Sequence, residues 1–152
     1  MKPLLLLLVL GLIARTLPLV AQATPDSLRA VLASKASNAQ KTEACMDLAI
    51  YTAQTSLDSA VAYGHSAVQY AEAQPNLKLK GQAYNVLATA YYVSDNYKAA
   101  LANYLTSLSL CQKAEDCRGE SRAYHNIGNI YLGLGSFAEA AEYYEKATHL
   151  HA

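Results

Sequence analysis

Ala83-Tyr84-Asn85-Val86-Leu87-Ala88, followed by Tyr91 and by Tyr97-Lys98-Ala99-Ala100, returns forty residues later as Ala123-Tyr124-His125-Asn126-Ile127-Gly128, followed by Tyr131 and by Phe137-Ala138-Glu139-Ala140. Self-similarity at a fixed spacing of this size marks stacked units, each burying its apolar face only against its neighbours. Tyr84, Leu87, Ala88 and Tyr91 stand at i, i+3, i+4 and i+7, the stripe of a helix buried along one side. Tyr97, Ala100, Leu101, Tyr104 and Leu108 draw a second such stripe. Small Ala88 and Ala100, or Gly128 and Ala140 one unit later, mark where two helix backbones approach, and the tyrosines fill the wider gaps. Each unit therefore reads as a helical hairpin with an apolar outer face.

Working outward, the pattern predicts six helical blocks at 41–55, 57–73, 78–94, 96–113, 118–133 and 136–150, with turns at Ser94-Asp95-Asn96 and Gly133-Leu134-Gly135-Ser136 and no strand signal. Upstream, Leu28, Val31 and Leu32 share one face of a short amphipathic segment that starts at Thr24-Pro25. The small polar stretch 34–40 reads as a linker. The expected architecture is all-α: a solenoid of three hairpins over 41–152 (41–73, 78–113 and 118–152), with a short N-terminal helix and linker over 24–40.

Residues 1–23 are a separate object. Lys2 supplies a positive start, residues 4–13 form an apolar run, and Ala21-Gln22-Ala23 offers a small-x-small cleavage site, so a signal peptide and export to a periplasmic or extracellular space are predicted. A bilayer span needs about 20 apolar residues, and Arg15 interrupts this run, so no stable membrane span is expected after cleavage. No cysteine follows the run before Cys45, which removes a lipid-attachment signal.

At 152 residues and 53% hydrophobic content the chain suits one domain. Twelve Lys plus Arg balance twelve Asp plus Glu, leaving no basic excess to hold a phosphate backbone, so nucleic acid is not an expected partner. Twelve tyrosines stand against one Phe and no Trp because the Tyr positions recur with the repeat.

Catalysis finds no footing. There is no Gly-rich phosphate loop, no Gly-x-Ser-x-Gly and no His-Glu-x-x-His. His149 and His151 point in different directions on a helix, and His65 and His125 lie in separate units without a ligand set around them. No catalytic residue, metal or cofactor is expected. Cys111 and Cys117 flank the junction of the second and third units, where helix ends converge, and form a candidate disulfide in an oxidising compartment. The alternative makes all three cysteines small apolar residues.

These residues resemble the tetratricopeptide repeats, whose first helix carries a large residue, Leu-Gly and Tyr, and whose second carries Ala, an aromatic and Ala. The third unit matches with Tyr124, Ile127-Gly128, Tyr131, Gly135, Ala140, Tyr144 and Ala147; the second with Tyr84, Leu87-Ala88, Tyr91, Ala100, Tyr104 and Ser107. The first is degenerate: Leu48-Ala49, Ala60 and Ala67 fit, but Gly64 stands where the aromatic belongs. Most members have a period of about 34, and the extra residues are expected between hairpins, around 112–118.

The resemblance implies a right-handed superhelix with the first helices on its inner wall. It places Gln82, Asn85, Thr89 and Tyr92, with Arg122, His125, Asn126 and Asn129, on a groove for a protein or peptide partner. The lysine-rich clamp of chaperone-binding members is missing, since Arg122 is the one cation at those positions. The order of parts is also similar to the exported N-terminal region of bacterial sensor histidine kinases and related transcriptional regulators. The alternative function is thus signal input, with this chain the front of a longer product. Self-association through the last helix is a further expectation, although Leu101, Leu105 and Leu108 become the more polar Ala141, Glu145 and Thr148 there.

Overall fold

A computed structural model describes residues 23–150. The expected signal peptide therefore lies outside the described residues, apart from Ala23, as do His151 and Ala152. Among the described residues the chain forms α1 (Pro25–Ala33), α2 (Asn38–Thr52), α3 (Leu57–Glu72), α4 (Leu77–Val93), α5 (Tyr97–Lys113), α6 (Cys117–Gly133) and α7 (Phe137–His149), with no strand.

The starts are set by side chains that take orphan backbone donors. Thr24 accepts from the Ser27 amide, Ser56 from Ser59, Asn76 from Leu79 and Asn96 from Ala99. At α2 the Ser37 hydroxyl accepts from the Gln40 amide while Gln40 Oε1 accepts from the Ser37 amide, a full capping box. That box corrects the expected boundary of 41–55: the helix begins three residues earlier, and the linker expected over 34–40 shrinks to 34–37.

The forty-residue period also has a different origin from the one expected. Residues 112–118 hold no long loop. Instead α4, α5 and α6 are each seventeen residues long and are separated by three-residue turns at 94–96, 114–116 and 134–136, so the extra residues lengthen the helices. The three turns are built alike. Asn96, Asp116 and Ser136 amides reach back to the Tyr91, Cys111 and Tyr131 carbonyls at 2.9–3.0 Å. The amides of Asp95, Glu115 and Gly135 close the inner bond to Tyr92, Gln112 and Leu132. The middle residue must turn left-handed for this, and Asp95, Glu115 and Gly135 have φ of 57°, 53° and 77°.

Helices pack as the hairpins α2/α3, α4/α5 and α6/α7, each joined to the next, with α1 laid against α2. The first helices also touch across units, α2 to α4 and α4 to α6, whereas among the described residues α3, α5 and α7 do not touch one another. The core is accordingly a chain of clusters at the junctions. Leu28 of α1 meets Ala44 and Leu48; Cys45, Ala67, Ala71 and Ala83 close α2, α3 and α4. Ala88, Ala100, Tyr104, Leu108, Ala123, Ile127 and Ile130 bind the second hairpin to the third. This is the neighbour-only burial of a helical solenoid.

The first hairpin deviates where the sequence departs from the repeat. Tyr104 and Tyr144 occupy the aromatic position in the later hairpins, but a Cβ built on Gly64 would lie 3.0 Å from Leu87 Cδ1 and 3.1 Å from Leu87 Cα. The missing side chain is the space that α4 fills.

Candidate functional site

The wall formed by α2, α4 and α6 carries all eight residues expected to face a groove, but the structure puts them to different uses. Asn85 is buried and its Oδ1 accepts from Nδ2 of Asn126 at 3.0 Å, a bond across the α4–α6 seam. Thr89 Oγ1 donates to the Asn85 carbonyl and lies 2.9 Å from the Tyr104 hydroxyl, inside the second hairpin. Asn129 Oδ1 accepts from the Tyr144 hydroxyl at 2.6 Å. Tyr92 leans on Tyr97 with ring centroids 5.7 Å apart. These five hold helices together. Amides buried without partners are costly, about 1–3 kcal/mol each, so their bonds to one another matter to the fold.

Gln82, Arg122 and His125 look outward. Gln82 and Arg122 share a hollow of about 210 Å³ with Asn85, Met46, Asp47, Ile50 and Val86, so Asn85 borders it as well as bonding across the seam. A second hollow of about 200 Å³ adjoins it, lined by apolar Ala49, Ile50, Ala53, Val86 and Ala90 and by polar Asn85, Thr89 and Arg122. A third, about 380 Å³, runs from Ile50 past Tyr51 to Leu28. All three meet at Ile50, which is 59% exposed. The site is an apolar strip across α2 and α4, with Asp47 at one edge and Arg122 at the other. His125 sits apart from it, in the opening between α6 and α7, its ring centroid 5.3 Å from that of Tyr144.

The residues of α2 escaped the sequence reading because the first unit is degenerate. A signal existed: laying Leu48-Ala49 on Leu87-Ala88 puts Ile50 at the wall position of Thr89, and Asp47 at that of Val86.

The cysteines correct a second expectation. All three are free thiols, Cys45 and Cys111 buried and Cys117 exposed. The Cys111 sulfur lies between two helices rather than at the surface with Cys117: a Cβ on Gly119 would lie 2.6 Å from it and one on Gly81 2.9 Å. Burial pushes the Cys45 thiol up to about 11 and raises that of Cys111 as well. In the native protein at pH 8, one thiol per chain, Cys117, should react rapidly with an aromatic disulfide reagent, and three should react after denaturation without reductant. A count of one after denaturation would restore the bridge.

Of the other described histidines, His65 Nε2 lies 2.8 Å from the Tyr91 hydroxyl across α3 and α4, and His149 stands 3.6 Å from Glu145 one helical turn away on an exposed face. Among the described residues no group of three or more His, Cys, Asp or Glu is placed to hold a metal ion, and no helix is long and apolar enough to cross a membrane.

Hairpins in register, small residues at the crossings and first helices along one wall find their counterpart in a known family. Residues 79–150 match the tetratricopeptide repeat family. The match runs through the second and third hairpins and supports that family for the chain, while no curated protein matches it. Tetratricopeptide repeats are in general protein–protein interaction modules and typically non-catalytic scaffolds. The resemblance to the input regions of sensor kinases rests on the order of segments alone. In tetratricopeptide terms, the first two hairpins share the apolar strip of the wall, and α4 and α6 supply most of its polar groups.

Proposed function

We propose that the protein is an exported, non-catalytic tetratricopeptide module whose first-helix wall binds an extended segment of a protein partner. The observation that carries this reading is the meeting of two hollows at exposed Ile50, with Asp47 and Arg122 at the margins. An apolar side chain of the partner fills the strip, and the flanking charges set the direction in which the segment lies. Export rests on residues 1–23; removal of those residues leaves Thr24, the N-cap of α1, as the first residue.

The test is a pull-down from an exported fraction with the wild-type chain and with Ile50→Asp. Ile50 is exposed, so the substitution leaves the melting temperature nearly unchanged, while a charge in the apolar strip should cut partner retention about tenfold or more. Equal retention would reject the wall as the binding site. Asn126→Ala or Asn129→Ala is a poorer probe, since each also breaks a bond between helices.

The second reading, signal input to a sensor kinase or transcriptional regulator, is favoured by the succession of an apolar leader, the Asp26-Ser27-Leu28 helix and Leu57-Asp58-Ser59-Ala60 ahead of the repeats. The native gene downstream of the Ala152 codon decides it, because that role requires an open frame running into a membrane span.

A further inference from the structure

The polar side chains of the wall divide into two groups. Asn85, Thr89, Asn126 and Asn129 are spent on hydrogen bonds that hold the helices. Asp47, Gln82 and Arg122 are not. Among the described residues none of these three side chains has a hydrogen-bond or ion-pair partner; the ion pairs present are Asp26–Arg29, Lys78–Asp116, Glu72–Lys80 and Glu145–His149.

All three line one hollow, that of about 210 Å³ in which Ile50 and Val86 also stand. Asp47 on α2 is the one carboxylate among its lining residues and Arg122 on α6 the one cation, yet the two do not pair with each other. Arg122 also borders the adjoining hollow of about 200 Å³, where the other lining residues are uncharged. Opposite charges held apart at an apolar strip make a polarised site. It favours a segment laid one way and disfavours the same segment reversed, because like charges then meet.

We infer, resting on the wall as the binding site, that the partner segment carries an aliphatic side chain between a basic and an acidic one. Its Asp or Glu meets the Arg122 guanidinium, whose planar fork suits a carboxylate. Its Lys or Arg meets Asp47, and its aliphatic side chain lies on Ile50 and Val86. The Gln82 amide is left for the backbone of the segment. A uniformly acidic tail does not fit, because it sets a carboxylate against Asp47. Asp26-Ser27-Leu28-Arg29 of this chain holds the three side-chain types close together, but it is wound into α1 with Leu28 buried, so a second folded copy does not offer it.

The probe is a phage-displayed library of random peptides panned on the immobilised protein. The wild type should enrich peptides in which an aliphatic residue has Asp or Glu on one side and Lys or Arg on the other. A labelled peptide of the enriched sequence should bind Arg122→Glu about tenfold more weakly in fluorescence anisotropy, and changing its acidic residue to Lys should recover the loss. Arg122 is exposed, and an unchanged circular dichroism melt confirms that the variant folds. Enriched peptides without the charge pattern, or indifferent to Arg122→Glu, overturn the proposal; if Ile50→Asp still abolishes their binding, the wall stands as the site. Binding that survives Ile50→Asp places the peptides elsewhere and overturns both readings. Failure to enrich any motif overturns this proposal alone, since the pull-down tests the wall separately. So does a wild-type dimer in sedimentation equilibrium that Arg122→Glu dissociates, because a second copy would then occupy the strip.

Discussion

Gly119→Ala should lower the unfolding free energy by about 2 kcal/mol, and the same change should cost about half as much in a chain that lacks the Cys111 sulfur. Alanine in place of a helical glycine ordinarily gains about 1 kcal/mol, so the sign itself is informative. The new methyl would lie 2.6 Å from Cys111 Sγ and 2.7 Å from Asp116 Oδ2. Neither neighbour has an easy retreat. The sulfur already stands so near α4 that a Cβ on Gly81 would come within 2.9 Å of it, and the Asp116 side chain is nearly buried beside Lys78. The strain can be relieved only by parting α4, α5 and α6.

Cys111→Ala alone should cost about 1 kcal/mol, through the small cavity it leaves. The double variant should then be more stable than the sum of the two losses predicts, by about 1 kcal/mol or more. Urea unfolding of the four proteins measures it, and strict additivity would show that the sulfur is not the obstacle.

A larger effect is expected from Gly64→Tyr, which installs the aromatic carried by the other two hairpins. A reading by family pattern would count the change as a repair. The structure says the opposite, because the position is filled by Leu87, including its backbone Cα at 3.1 Å from the Cβ site. A phenol ring there must push α4 off α3. The expected cost is about 3 kcal/mol or more, at the upper end for overpacking, since a backbone cannot step aside as a flexible side chain can. Hydrogen exchange should show the loss concentrated in α1 to α3, with the later hairpins keeping their protection through their own junction cluster. A tyrosine variant with an undiminished melting temperature would mean that the first hairpin has room for a regular repeat.

Much of the fold was legible because burial leaves a period. Tyr84, Leu87, Ala88 and Tyr91 repeat at helical spacing whatever their neighbours are, and the later five helices begin and end within a residue of the predicted bounds. Turns are harder to read. A left-handed residue need not be glycine, and with Glu115 in that role the junction of α5 and α6 looked like part of a long loop when it is a tight three-residue turn.

The wall was legible as a surface, and the structure adds that several of its polar groups also bond from one helix to the next. An amide on a helix bonds equally well to a ligand or to the next helix, and Asn85 and Asn126 face one another only because α4 and α6 cross at that height. Nothing in their spacing along the chain distinguishes the two uses. Ile50, where the hollows meet, carries no repeat signal, because it lies on the hairpin whose sequence departs from the pattern.

Among the described residues each second helix packs on the first helix of the next hairpin and not on the next second helix, so every first helix after α2 is held from both sides. The first helices meet along narrower seams, one of them carrying the Asn85–Asn126 bond. A change in the angle between two hairpins must therefore slide a second helix over the first helix that follows it, and the wall and the junction cores move together.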